Sequence, residues 1–191
     1  MTQPPVAVRV AGPATPALAS AVLAGGLAFL VLRPALAALP GAVPLLAVGY
    51  VAMTAAALAV RRPRSGPEAP LGWAVPLALG LAAVAAAGVV AGPAPDRRVG
   101  AAAAGLAMAA AVAEEALFRR LLFDRLAARG PVIALVGSAA VFALVHLPAY
   151  GVAALPVDLG AALLLSWQRY ASGRWTVPAV THAVANLLAV T

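Results

Sequence analysis

Hydrophobic residues dominate this chain in seven stretches, at 17–32, 43–60, 71–91, 99–113, 132–147, 152–165 and 177–190. The stretches are separated by Gly, Pro and Arg: Arg33-Pro34, Pro40-Gly41, the segment from Arg61 to Pro67, Gly92-Pro93, Gly130-Pro131, Pro148 and Gly173. Glycine and proline punctuate helices, and about 20 apolar residues cross a bilayer as a helix. The pattern therefore predicts an all-α, polytopic membrane bundle of about seven transmembrane helices, six to eight allowing for short Ala-rich runs. No repeat and no polar linker divides it, so residues 1–191 are expected to form a single membrane domain.

Composition supports the same reading. The 191 residues are 64% hydrophobic and 10% charged, with a mean hydropathy of +0.99, against about 45–50% apolar and about 25% charged in soluble domains. The absence of cysteine excludes disulfides, thiolate catalysis and cysteine-ligated metals. All 13 basic residues are Arg, against six acidic ones, for a net charge of +7. These arginines lie between apolar runs, with no basic face or aromatic interleaving, so the excess marks topology and no nucleic-acid partner is expected. If every run crosses, Arg9, Arg61, Arg62, Arg64, Arg119, Arg120, Arg125, Arg129, Arg169 and Arg174 share one side, and Arg33, Arg97 and Arg98 the other. The positive-inside rule then places the N-terminus in the cytoplasm. A competing reading makes residues 1–37 a signal peptide, because Ala35-Leu36-Ala37 resembles a small-residue cleavage site. Abundant Ala, Gly, Pro and Arg without Lys suits a GC-rich bacterial genome, and hence a bacterial inner membrane.

Ionisable groups inside apolar runs are costly and mark cavities or functional sites. Glu114 and Glu115 close the fourth run, His146 lies near the end of the fifth, and His182 and Asn186 lie in the seventh. Glu115 and Arg119 stand at i,i+4, the spacing of an ion pair. Glu114 points about 100° away and has no partner at that spacing, which leaves it the carboxylate free for chemistry. Phe142 and His146 repeat the i,i+4 spacing, putting the ring under the imidazole, and so do His182 and Asn186. Glu114 and His146 are equally far from Gly130, so a hairpin turning there holds both about 24 Å from the turn, at one level. With a membrane boundary near Arg119, that expectation requires Arg119 to Arg129 and the start of the next helix to protrude or lie in the headgroup region, as the amphipathic stretch Phe118 to Leu126 could. Paired glutamates are commonly solvated and a membrane histidine commonly a packing contact; it is their convergence that points to a site.

These residues carry a resemblance. Glu114-Glu115-Ala-Leu-Phe-Arg119, Phe142-Ala-Leu-Val-His146 and His182-Ala-Val-Ala-Asn186 occur in order and resemble the EExxxR, FxxxH and HxxxN motifs of the CPBP family, the CAAX proteases and bacteriocin-processing (Abi) enzymes. The resemblance covers about residues 100–188 and implies an intramembrane glutamic endopeptidase. Glu114 matches the base that activates water, His146 helps hold the water, and His182 and Asn186 match the oxyanion donors. Glu115, Arg119 and Phe142 match supporting positions. No cofactor is favoured; a metal-dependent version would use Glu114, His146 and His182 on zinc, although no HExxH signature is present. The implied partners are the lipid bilayer and a membrane-anchored peptide or protein substrate. A non-catalytic binding or immunity protein of the same family is the alternative.

Overall fold

A computed structural model describes residues 14–61, 70–91 and 100–190. Among these there is no strand, and the seven apolar runs become seven helices: α1 (Ala14–Ala37), α2 (Ala42–Ala59), α3 (Ala74–Ala91), α4 (Ala101–Ala127), α5 (Pro131–Tyr150), α6 (Leu155–Ser172) and α7 (Thr176–Val190). The turns expected at Arg62–Pro67 and Gly92-Pro93, and the topology arginines Arg9, Arg62, Arg64, Arg97 and Arg98, lie outside the described residues. Gly130 turns the α4–α5 hairpin at φ 118°, where a side chain would be strained, and Pro131 opens α5 at its first turn, where a missing N–H costs nothing.

The bundle is a membrane protein turned outside-in with respect to polarity. Val89 and Val90 are 83% and 88% exposed, whereas Glu115 and Arg119 are wholly buried. In water that distribution would be ruinous; in lipid it puts the apolar surface against hydrocarbon and the charges against one another. Helices α1, α2, α4 and α5 are each long and apolar enough to cross a membrane, α3 and α7 are shorter apolar helices, and α6 carries Asp158, Gln168 and Arg169 along its length.

Helix α4 departs from the sequence expectation. Residues Ala116–Leu122 form a π-helical stretch, buried in the bundle from Ala116 to Leu121, so Phe118 to Leu121 present no amphipathic face to a headgroup region. A π turn fits an extra residue into the helix and commonly marks functional positions. Carbonyls of this stretch take side-chain donors, Ser138 Oγ to Phe118 O at 3.2 Å and Arg169 Nε to Arg119 O at 2.9 Å. Arg120 donates to the carbonyls of Ala57, Leu58 and Val60, capping the C-terminal end of α2, where the helix leaves its last carbonyls unpaired. Gln168 of α6 donates to Pro76 O at 2.7 Å and to Thr181 Oγ1 at 2.9 Å, tying α3 to α7. Gly80 makes room for that contact, because a Cβ there would meet both the Gln168 and Thr181 side chains.

Candidate active site

Glu114 sits at the midpoint of α4, and its carboxylate faces three other helices. Arg33 of α1 reaches its Oε1 at 3.0 Å, while Oε2 faces His146 Nε2 of α5 at 3.5 Å and His182 Nε2 of α7 at 3.9 Å. Glu114 and His146 are thus level across the hairpin, as their equal spacing from Gly130 predicts. Glu114 has no partner at i,i+4, as expected, but it is not free: Arg33 of α1 pairs with it, beyond the reach of any spacing rule on α4.

Each imidazole is oriented by its second nitrogen. His146 Nδ1 lies 2.7 Å from Phe142 O, and His182 Nδ1 lies 2.9 Å from Glu115 Oε1. A carbonyl or carboxylate oxygen only accepts, so both Nδ1 atoms carry hydrogen and both Nε2 atoms turn toward Glu114. Phe142 fixes the rings themselves, stacked on His146 at 4.3 Å and edge-on to His182 at 5.8 Å between centroids. Below them Glu115 Oε1 accepts from Arg119 Nη1 at 3.0 Å, and Arg119 also donates to Ala162 O of α6 at 3.0 Å. The Arg119 guanidinium lies 4.6 Å from the Phe142 ring centroid, within cation–π range. The Glu115–Arg119 pair expected from sequence is therefore present, and it acts as the floor of the site.

Above this floor is a cavity of about 350 Å³, lined among others by Arg33, Glu114, His146, Tyr150, Asp158 and His182. Asn186 borders the same cavity; its amide nitrogen donates to Ala107 O at 3.1 Å, which leaves its second N–H for a ligand. His146 lies near the C-terminal end of α5 and Asp158 in the first turn of α6, so the cavity sits toward the end of the bundle where α5 passes into α6. Partial burial pushes the Asp158 carboxyl up, against the pull of His146.

Glu114, His146 and His182, the residues a zinc version would use, do not make a metal-binding group; among the described residues no three His, Asp or Glu side chains do. The Arg33 guanidinium meets Glu114 at Oε1, 3.0 Å away, and leaves Oε2 facing the two imidazoles.

Sequence reasoning missed Arg33, Tyr150 and Asp158. Arg33 carried a signal, being a charge inside an apolar helix that runs on to Ala37, but Pro34 beside it reads as a helix boundary.

No curated protein and no solved structure matches the chain. Residues 97–188 match one family model, and they contain every motif of the cavity wall from α4 to α7. That model is the type II CAAX prenyl endopeptidase Rce1-like family, which this membrane protein matches over residues 97–188.

Proposed function

We propose that the chain is an intramembrane glutamic endopeptidase that hydrolyses a peptide bond in a membrane-anchored peptide or protein, with residues 100–188 as its catalytic core. The observation that carries the reading is the convergence of two imidazole Nε2 atoms on one oxygen of a buried carboxylate, at 3.5 and 3.9 Å. Those separations exceed a good direct N–H···O hydrogen bond and leave Glu114 Oε2 and His146 Nε2 free to hold one water on their cavity side, in contact with both. Glu114 takes a proton from that water as its oxygen attacks the scissile carbonyl. The oxyanion accepts from the free N–H of Asn186 and from His182 Nε2–H, a donation that requires the doubly protonated imidazole because Nδ1–H is engaged by Glu115, and Glu114 returns the proton to the departing amine. Donors aimed at the developing charge and a base within reach of the water are what amide hydrolysis requires.

Orientation follows from the arginines. Arg119, Arg120 and Arg169 are buried and Arg33 is paired with Glu114, so none of the four reports on headgroups. The remainder still sets Arg9, Arg61, Arg62, Arg64, Arg125, Arg129 and Arg174 against Arg97 and Arg98, which favours a cytoplasmic N-terminus in a bacterial inner membrane. The cavity then lies toward the outer face.

The deciding experiment reconstitutes the purified protein and follows cleavage of an internally quenched peptide with a prenylated CAAX tail. Glu114→Gln keeps the shape and removes the base, so turnover should fall by about 10²–10⁴ while the protein still folds. Full turnover in that variant, or activity abolished by chelation and restored by zinc, would overturn the assignment.

A further inference from the structure

One charged group of the site comes from outside residues 97–188. Arg33 projects from α1, next to Pro34, and its Nη1 makes the shortest polar contact of Glu114 among the described residues, 3.0 Å to Oε1. The two carboxylate oxygens are thereby divided. Oε1 is anchored, and Oε2 alone faces the imidazoles. The last torsion of a glutamate is broad and roughly two-fold, and the imidazoles at 3.5 and 3.9 Å are too distant to fix it.

Arg33 is itself held. Its Nη2 lies 3.4 Å from the Tyr150 hydroxyl, its guanidinium carbon lies 5.7 Å from the Tyr150 ring centroid, and Tyr50 of α2 stands beside it. The side chain is 15% exposed, against 2% for Glu114, so it closes the cavity wall without being sealed from it. A planar fork suits this duty, because two nitrogens can serve two different oxygens in one plane.

We infer that Arg33 is the positioning residue of the reaction: it locks Glu114 through Oε1 so that Oε2 is presented to the water it shares with His146. The inference rests on the reading of Glu114 as the base. It gives α1 a part in the chemistry, although no motif of the family domain reaches that helix.

The test has two arms, using the full chain in detergent or liposomes. In the first, infrared difference spectra of wild type minus Glu114→Gln isolate the Glu114 carboxylate stretches, and the same pair is recorded with Arg33→Gln and with Arg33→Lys. The bands should move in Arg33→Gln and return part-way in Arg33→Lys; bands that stay put overturn the inference, whatever the enzyme cleaves. In the second, Arg33→Gln should lower kcat about 100-fold, the scale of a misplaced reacting group, with KM nearly unchanged and Arg33→Lys recovering part of the loss. An unchanged kcat, or a loss confined to KM, overturns it. Should Arg33→Gln fail to accumulate, Arg33→Lys decides, since an ammonium lacks the planar fork that holds Glu114 and Tyr150 in one geometry; bands and kcat identical to wild type would then refute the role. Full activity in Glu114→Gln would instead sink the assignment of Glu114 as the base and leave the spectroscopic arm standing.

Discussion

Replacing Glu115 by Gln should cost stability before it costs chemistry. Glu115 and Arg119 are both wholly buried and meet at 3.0 Å, a separation at which two unit charges attract by about 5–6 kcal/mol in a medium of effective dielectric about 20. Most of that attraction offsets the desolvation of the two ions, so the pair's net worth is small; removing one member, however, strands the other, at about 3–5 kcal/mol. Gln can still accept from Arg119 and from His182, but its amide nitrogen falls where Glu115 Oε2 now has no hydrogen-bond partner, burying N–H donors without an acceptor. Against a typical stability of about 5–15 kcal/mol, the variant should melt well below wild type when followed by circular dichroism in mild detergent. The double variant with Arg119→Gln removes the stranded charge, so the cycle should show coupling of about 1–3 kcal/mol. A melting curve equal to wild type, or strictly additive losses, would refute the assignment of this pair as a buried ionic floor.

Further outcomes follow from other contacts. Arg120→Ala leaves three carbonyls at the end of α2 without their donor and should destabilise the fold by more than about 1–3 kcal/mol, read by the same melting assay. Gly80→Ala drives a methyl into Gln168 and Thr181 and should cost about 1–3 kcal/mol, with the α3–α7 tie broken. His182→Ala should lower kcat by about 10²–10³ with little change in KM, as loss of an oxyanion donor does. Because the chain has no native cysteine, Asp158→Cys at the cavity rim should react with a membrane-impermeant maleimide added outside intact spheroplasts, and Arg129→Cys only after lysis; the reverse pattern would invert the topology.

The number of helices and the core of the site were legible because each rested on a local rule. Runs of apolar residues bounded by Gly and Pro mark helices, and i,i+4 spacing pairs Glu115 with Arg119 and Phe142 with His146 wherever the helix goes. The level meeting of Glu114 and His146 was legible too, since a hairpin makes depth a matter of counting from Gly130. What was not legible is contact between elements distant in the chain. Arg33 lies 81 residues from the glutamate it binds, and nothing in either local sequence names the other. The π-helical stretch was equally hidden, because Ala116–Leu122 satisfies an α-helical pattern and a membrane-surface pattern alike; only the acceptors waiting on α2 and the donors on α5 and α6 decide that it is buried.

The arginines show how one residue type can mislead and inform at once. Read as topology markers they were equivalent, yet the structure splits them by the acceptors they meet. Arg119 serves a carboxylate and a carbonyl, Arg169 a carboxylate and a carbonyl, Arg120 three carbonyls, and Arg33 a carboxylate and a tyrosine. In each case one cation satisfies two or more acceptors, and Arg119 and Arg33 do so across two helices, a duty to which the planar fork of a guanidinium is suited. At these four positions the several acceptors each cation meets suit the fork of Arg. The same feature that makes a membrane interior hostile to charge makes such multivalent cations effective there: with no water to compete, every acceptor they reach is one the bundle would otherwise leave unpaired.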